Sequence, residues 1–310
     1  MTDTGEQLRI GEAVHIGTHE AGSPEWVEAR RAAVNGSEIA AILGLSPFES
    51  RFSLWHQKYG TVADEVEQQP QMYWGNRLES VVRDEFNQRH GRDFRPLGLF
   101  RHHERTWQGG GPDGIDVENG ELLEVKTSPF GEGWGPDGTD EIPVYYRAQC
   151  LWYLDVFGFE VCHVAVLISG YDYREYRVTY SPSEIEVMRA AAREFLDDLE
   201  AGRMPPIDSH EATYQTVREL HPEIEPVTVE LPDEVAEQYI TACASEQDAR
   251  AKKREAAARV LMAMGSAQRA YYQGLLIATR QAKSRESAPY LVAANGLAKK
   301  FTALNSRKDN

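Results

Sequence analysis

Residues 111–128 read GPDGIDVENGELLEVKTS, and no other stretch limits the fold as tightly. Asn119-Gly120 lies between two short runs of alternating character, the strongest local signal for a two-residue hairpin turn. A turn that tight sets Glu118 against Glu121 and Asp113 against Lys126. Glu124 then shares their face, because strand side chains alternate with period two. One strand pair thus presents two carboxylates and an ammonium where Leu or Val would ordinarily point inward. Two acids that close repel unless a cation lies between them, and hard oxygen donors suit Mg²⁺ or Mn²⁺. The spacing predicts a metal site; the rival is an ordinary exposed strand face.

With 310 residues the chain has room for one large domain plus an extension, or for two modest domains. No run of about 18 apolar residues predicts a membrane span. The start, MTDTGEQ, lacks the basic and apolar regions of a signal peptide, so a cytoplasmic setting is expected. Cys150, Cys162 and Cys243 show no CxxC spacing and read as free buried thiols in a reducing compartment. They are too few to ligate a four-cysteine iron–sulfur cluster. The net charge of −16 argues against nonspecific binding to nucleic acid, but it is unevenly spread. Residues 251–310 hold 12 Lys and Arg against three acids, which leaves the preceding 250 residues at about −25. Any channel for DNA must therefore gather its positive charge locally or receive it from an assembly.

Along the chain, 1–24 is a polar lead-in with a short strand near 13–16. A helix starts at Pro24, and a second spans 36–44 with Ser37 as its candidate N-cap and Gly44 as its stop. A third helix covers 53–59, and an acidic, Gln-rich surface loop 61–70. Leu78, Val81, Val82 and Phe86 recur at helical spacing from Met72 to His90, with Glu79 beside that stripe. Strand-like pieces at 93–101 and 104–109 precede the hairpin. A Gly-, Pro- and Asp-rich loop covers 129–142, of the kind that often covers a site. A helix at 143–157 carries Gln149 and Tyr153, and strands follow at 159–169 and 172–180. After a helix at 182–201, Gly202 to Pro206 mark the expected domain boundary. Beyond it, 231–271 reads as helical and basic, and 271–302 as a terminal strand pair.

Among other motifs, Gly109-Gly110-Gly111 reads as room for DNA near the backbone. No Lys-Ser/Thr follows it, so a nucleotide-binding loop is not expected. His102 and His103 are strand neighbours that should face opposite ways, so joint zinc ligation is not expected.

A helix with one acid, a hairpin with Asp and Glu-x-Lys, then a helix with Gln-x-x-x-Tyr resembles the PD-(D/E)xK nuclease superfamily. Within it, residues 24–205 resemble the YqaJ-type viral recombinase family. The resemblance is carried by 26–38 (WVEARRAAVNGSE), 40–48 (AAILGLSPF), 74–79 (WGNRLE), Pro112-Asp113-Gly114, Leu123 to Lys126, and Gln149 with Tyr153. It implies an α/β core of restriction-endonuclease-like fold, with a central mixed β-sheet flanked by helices and a helical C-terminal extension. The corresponding domains are 1–207, the nuclease, and 208–310, basic and mostly helical.

The same resemblance assigns roles. Asp113, Glu124 and the Val125 carbonyl would hold Mg²⁺, with Glu79 approaching directly or through water. Lys126 would orient the attacking water, and Gln149 and Tyr153 would steady the water, the lysine or the DNA. Arg30 and Ser37 match positions that contact a 5′ phosphate. The bland alternatives are a solvated Glu79, a Gln149–Tyr153 pair that merely packs, and a Ser37 that only caps its helix. The implied activity is 5′-to-3′ digestion of linear duplex DNA for phage-type recombination, beside a single-strand annealing protein.

A site- or structure-specific endonuclease on the same fold is the first rival, and digestion of closed circular DNA would favour it. A catalytically silent DNA-binding or assembly module is the second, favoured by end binding without cleavage. The basic extension departs from the family's phage exonucleases, so their ring-shaped homo-oligomer is not carried over. Phosphate contact, self-assembly, partner docking and plain solvation all stay open for its helix.

Overall fold

The structure, a computed structural model, describes residues 8–19, 23–62, 70–284, 286–298 and 300–301. The lead-in before Leu8 and most of the acidic loop 61–70 lie outside the described residues. Two compact units meet between Ile224 and Glu225. The first unit opens with β1 (Arg9–Ile10), β2 (Ala13–Gly17), α1 (Pro24–Arg31), β3 (Val34–Asn35), α2 (Gly36–Ile42), α3 (Arg51–Tyr59) and α4 (Pro70–His90). Then come β4 (Leu99–His102), β5 (Gln108–Gly110), β6 (Gly114–Asp116), β7 (Glu121–Ser128) and α5 (Val144–Phe157). β8 (Val161–Ile168), β9 (Asp172–Thr179), α6 (Pro182–Glu200) and α7 (Glu211–Leu220) complete it. The expected break at Gly202–Pro206 does not end this unit, because α7 continues it and packs against α3.

Local chemistry sets the helix limits. Ser23 accepts the Trp26 amide at 3.2 Å and Pro24 opens α1. Ser50 caps α3, which ends on Gly60 at φ +79°. α2 begins earlier than its sequence suggests, with Asn35 as N-cap in place of Ser37. The cause is not local: Val34 and Asn35 pair in parallel with Gln108 and Gly109, so the helix starts where that strand stops. Glu38 completes the start by accepting the Asn35 amide at 2.9 Å.

The hairpin differs from expectation in its turn. Gly114 pairs with Leu123 and Asp116 with Glu121, so four residues, not two, connect β6 to β7. Asp116 draws the turn in by accepting the Asn119 amide at 3.1 Å and its side chain at 2.9 Å, while Arg92 Nε donates to Asp116 at 2.7 Å. The register moves by two residues, which leaves every side chain on its expected face.

β6–β9 form a mixed four-stranded sheet: β6 and β9 are antiparallel to their neighbours, and β7 and β8 run parallel. The parallel pair requires a crossover, supplied by the 129–142 loop and α5. On one face Leu123, Val125 and Ala165 pack with Val82 and Phe86 of α4. On the other, Leu122, Cys162, Val164 and Val166 join the main core with α5 and α6. Glu124 falls on this second, apolar side. A further sheet, ordered β1-β2-β4-β5-β3, also contacts α5. Helix α5 therefore touches both sheets, and it buries ten of its 14 residues.

Asp155 on α5 ties these layers together. It accepts Gln108 Nε2 and Arg189 Nε, both at 2.7 Å, and its Oδ2 lies 3.4 Å from Arg105. Burial alone would raise its carboxyl; the Arg189 and Gln108 hydrogen bonds, with Arg105, hold it below its ordinary value instead. Asp155→Ala should cost about 2–4 kcal/mol in urea unfolding, since it leaves two arginines facing a buried gap. The wild-type contribution is present above the unfolded carboxyl pKa and lost on acidification through the lower folded one, so the difference between the proteins should close only below about pH 4.

The second unit contains α8 (Asp233–Met264) and an antiparallel sheet of β10 (Arg269–Tyr272), β11 (Leu275–Gln281) and β12 (Tyr290–Ala293). The extension is thus a helix followed by three strands, rather than a longer helix with a strand pair. Cys150 and Cys162 are buried as expected, but Cys243 is exposed on α8.

Candidate active site and metal centre

Asp113 lies just before β6, where its Oδ2 accepts the Val125 amide at 2.7 Å. In the extended hairpin register it stands opposite Glu124 rather than Lys126. Glu124 is 1% exposed, and its Oε1 accepts Gln149 Nε2 at 2.7 Å and the Lys126 ammonium. Its Oε2 is buried with no hydrogen-bond partner. An orphaned carboxylate oxygen in the interior is costly. Burial, and then the charges of Glu124 and Glu79, push the Asp113 carboxyl well above its ordinary value. Burial raises Glu124 as well, with Lys126 opposing. A hard divalent cation would relieve both, so the donor set fits Mg²⁺ or Mn²⁺. Asp113 and Glu124 would hold it. The Val125 amide faces Asp113 rather than β6, which opens that edge of β7 toward the acids.

Glu79 arrives from α4, on the opposite face of the sheet. Its Oε1 accepts Arg83 Nη1 at 2.7 Å, and the same nitrogen donates to the Asp113 carbonyl at 2.9 Å. Arg83 is 8% exposed and was not singled out from the sequence. The four-residue spacing from Glu79 was legible, but the reach to the Asp113 backbone was not.

Lys126 is held as an ammonium. Burial works against its charge, yet Glu124 and Asp113 beside it keep its pKa above the usual lysine value. Its Nζ also lies 4.8 Å from the centre of the Tyr146 ring, a cation–π contact the sequence did not disclose. Tyr146 is backed by Trp134, 5.7 Å away and 7% exposed, so the 129–142 loop is anchored in the core beside the site.

Gln149 donates to both Glu124 and the Tyr153 hydroxyl, the latter at 3.0 Å. Tyr153 is enclosed: a Cβ on Gly36 would meet its ring at 2.2 Å, and one on Gly110 at 2.7 Å. It is 4% exposed, and its hydroxyl accepts from Gln149. The same contacts correct the reading of Gly109-Gly110-Gly111. Gly110 makes room for Tyr153, Gly109 for Asn35 and Gly111 for Leu99, all side chains of this chain.

Arg30 and Ser37 come together. Arg30 Nη2 donates to Ser37 Oγ at 2.8 Å, and Glu38 Oε1 is 3.3 Å from the same nitrogen. The guanidinium lies 4.4 Å from the centre of the Trp26 ring. Ser37 is exposed in the first turn of α2, where an anion is favoured. Lys58 is buried behind it, 2.9 Å from Glu38. Gly36, against Tyr153, links this pair to Gln149 and Glu124 by a short path of contacts.

The histidine pair departs from the strand rule. β4 ends at His102, so alternation stops there and the two rings stack 5.0 Å apart, near Glu12. His102 Nδ1 accepts the amides of Glu104 and Arg105, and Arg9 lies 2.9 Å from Glu12 and 3.5 Å from His103. The donor atoms of Glu12, His102 and His103 lie within 4.8 Å of one another, a group that could hold a cation, although backbone amides occupy His102 Nδ1 and the Arg9 guanidinium competes for Glu12.

An Asp and a Glu-x-Lys on a β-hairpin, an acid-bearing helix on one face and a Gln–Tyr helix on the other are thus brought together in a mixed α/β fold whose sheets are flanked by helices. Residues 25–160 match the YqaJ-like viral recombinase domain. Over that segment the chain is similar to the YqaJ-like viral recombinase family. The uncharacterized protein YqaJ of Bacillus subtilis (strain 168) is 30% identical over 211 residues, 66% of each chain, so the match falls just short of two thirds of that relative. Among solved structures, an alkaline exonuclease from Laribacter hongkongensis has a TM-score of 0.47 at 20% identity, covering 63% of this chain and 97% of that one. A phage-related exonuclease from Haemophilus somnus 129PT has a TM-score of 0.43 at 15% identity, covering 55% and 96%.

Proposed function

We propose that this chain is a divalent-metal-dependent DNA exonuclease that digests linear duplex DNA from 5′ ends and leaves single strands for recombination. The observation that carries this reading is the buried, partnerless Glu124 Oε2 beside an Asp113 carboxyl raised by burial and by its acidic neighbours. A divalent cation there, Mg²⁺ or Mn²⁺, would neutralise charge on a phosphodiester and favour ionisation of water. Glu124, fixed by Gln149, and Asp113, fixed by the Val125 amide, supply the anionic ligands, with Glu79 and the Val125 carbonyl completing the set. The Lys126 ammonium orients the attacking water and offsets negative charge as the phosphate becomes crowded. Arg30 and the Ser37 hydroxyl receive the 5′ phosphate and set which end enters. The family's description as viral recombinase supports a role beside a single-strand annealing protein. Among the described residues, no helix is long and apolar enough to cross a membrane.

The direct test is digestion of linear duplex DNA, with and without a 5′ phosphate, in Mg²⁺ and in chelator. Activity that persists in chelator would sink the metal role, and cleavage of closed circular DNA would make the enzyme an endonuclease. Arg30→Ala should lower the rate on 5′-phosphorylated ends about 10- to 100-fold, the worth of a charged hydrogen bond. It should change the rate on 5′-hydroxyl ends little, so equal losses on both would remove the phosphate role.

A further inference from the structure

The loop between α2 and α3 holds an aromatic side chain out of the core: Phe48 is 69% exposed. Scattered surface hydrophobes are common, and a bare phenyl ring needs no account by itself. This one is both fixed and connected. The Ser46 hydroxyl accepts the amides of Phe48 and Glu49, each at 3.1 Å. The Leu45 and Ser46 amides donate to the Ala40 carbonyl at 2.8 and 3.1 Å, and His210 Nε2 donates to the Ser46 carbonyl at 3.1 Å. Pro47 fixes one further torsion. These bonds order a loop whose largest side chain stays in water.

A row of rings leads from Phe48 to the metal centre. Its ring stands at 86° to that of Tyr145, with centroids 5.6 Å apart. Tyr145 meets Tyr146 at 4.4 Å, and Lys126 Nζ lies 4.8 Å from the centre of the Tyr146 ring. The inner end of the row is therefore the ammonium that faces Glu124 and Asp113. Its outer end is an open right-angled corner between two rings. Packing accounts for the inner end, where Trp134 backs Tyr146. It does not account for Phe48, which meets Tyr145 edgewise and leaves most of its surface bare. A nucleobase suits the corner, being flat, apolar on both faces and one sugar away from a phosphate. Stacking of this kind tolerates any sequence, because every base has a π-face. It also needs no positive charge, which the acidic first 250 residues hold in deficit.

We propose that Phe48 and Tyr145 form a base-stacking subsite for a nucleobase of the digested strand, beside the phosphodiester at the metal centre. This rests on the nuclease reading above. The test is fluorescence anisotropy of an end-labelled 5′-phosphorylated duplex in Ca²⁺, an oxygen-seeking cation, and again in chelator. The duplex is compared with three others, each with one abasic sugar at the first, second or third position from the 5′ end. The wild type should bind one abasic duplex about 10-fold more weakly than the intact one. Phe48→Ala should bind the intact duplex about 10-fold more weakly and no longer distinguish the two. Phe48→Trp should restore the discrimination, and Phe48→Leu should not. Equal losses on all four duplexes, with a lowered melting temperature, would make Phe48 a loop anchor and overturn the proposal. Full discrimination by Phe48→Ala, or none by the wild type, would also overturn it and leave the corner to a protein partner. Digestion in Mg²⁺ is read separately: its absence with discrimination intact would sink the nuclease reading and spare the subsite.

Discussion

Asp113→Asn should abolish DNA hydrolysis and at the same time raise the melting temperature of the chelated protein. The activity loss should reach about a thousandfold or more, because removing one anionic ligand costs about 4 kcal/mol of barrier stabilisation. The stability gain follows from the same carboxylate. Burial, Glu124 and Glu79 raise the Asp113 pKa, with Lys126 as the opposing charge. The folded state therefore holds that proton more tightly than the unfolded chain. Its stabilising effect is present at low pH and declines as the pH rises above the unfolded carboxyl value. The amide removes the penalty while its oxygen can still accept the Val125 amide. A rise of roughly 2–5 °C near neutral pH is expected in chelator. Mg²⁺ should stabilise the wild type and leave the variant unmoved. A variant that melts below the wild type in chelator would show that Asp113 is a structural anchor first.

Lys126→Met should also cost activity, by about 10²- to 10⁴-fold, but with the opposite effect on the chelated protein. Lys126 is the ammonium facing Glu124 and Asp113, so its loss leaves two buried acids without their cation. The chelated variant should unfold earlier than the wild type, and Mg²⁺ should restore more stability to it than to the wild type. Thermal melts in chelator and in Mg²⁺, run beside single-turnover cleavage, separate the two roles. Stabilisation by Mg²⁺ that is lost in Lys126→Met as fully as in Asp113→Asn would make the lysine part of the metal-holding set.

Much of this was legible because it is local. Pro24 and Gly60 mark helix ends from a few residues of sequence, although α3 starts two residues earlier than its spacing suggests, at the Ser50 cap, and Glu124-x-Lys126 shares a face through the period of a strand. What escaped depends on distant partners. Arg92 and the Asp116 carboxylate enlarge the turn that Asn119-Gly120 alone would make short, and Asp113, Glu124 and Lys126 kept their shared face only because the register moved by an even number. Pairing of Val34–Asn35 with Gln108–Gly109 moved the cap of α2. His102 and His103 stack because their strand ends between them. The three glycines yield space to Tyr153, Asn35 and Leu99, which are 43, 74 and 12 positions away in the chain. Arg83 was readable as a partner of Glu79 by helical spacing, but its bond to the Asp113 carbonyl exists only in three dimensions.

Gln149 and Tyr153 project from α5, the helix that both sheets of the first unit share. A helix so placed has no low-cost way to open by itself, since every route exposes core on two sides. The positioning of Glu124 should therefore lack an independent melting step. In rising urea, cleavage competence and tertiary structure should disappear along one curve, and the loss of either should serve as an assay for the other.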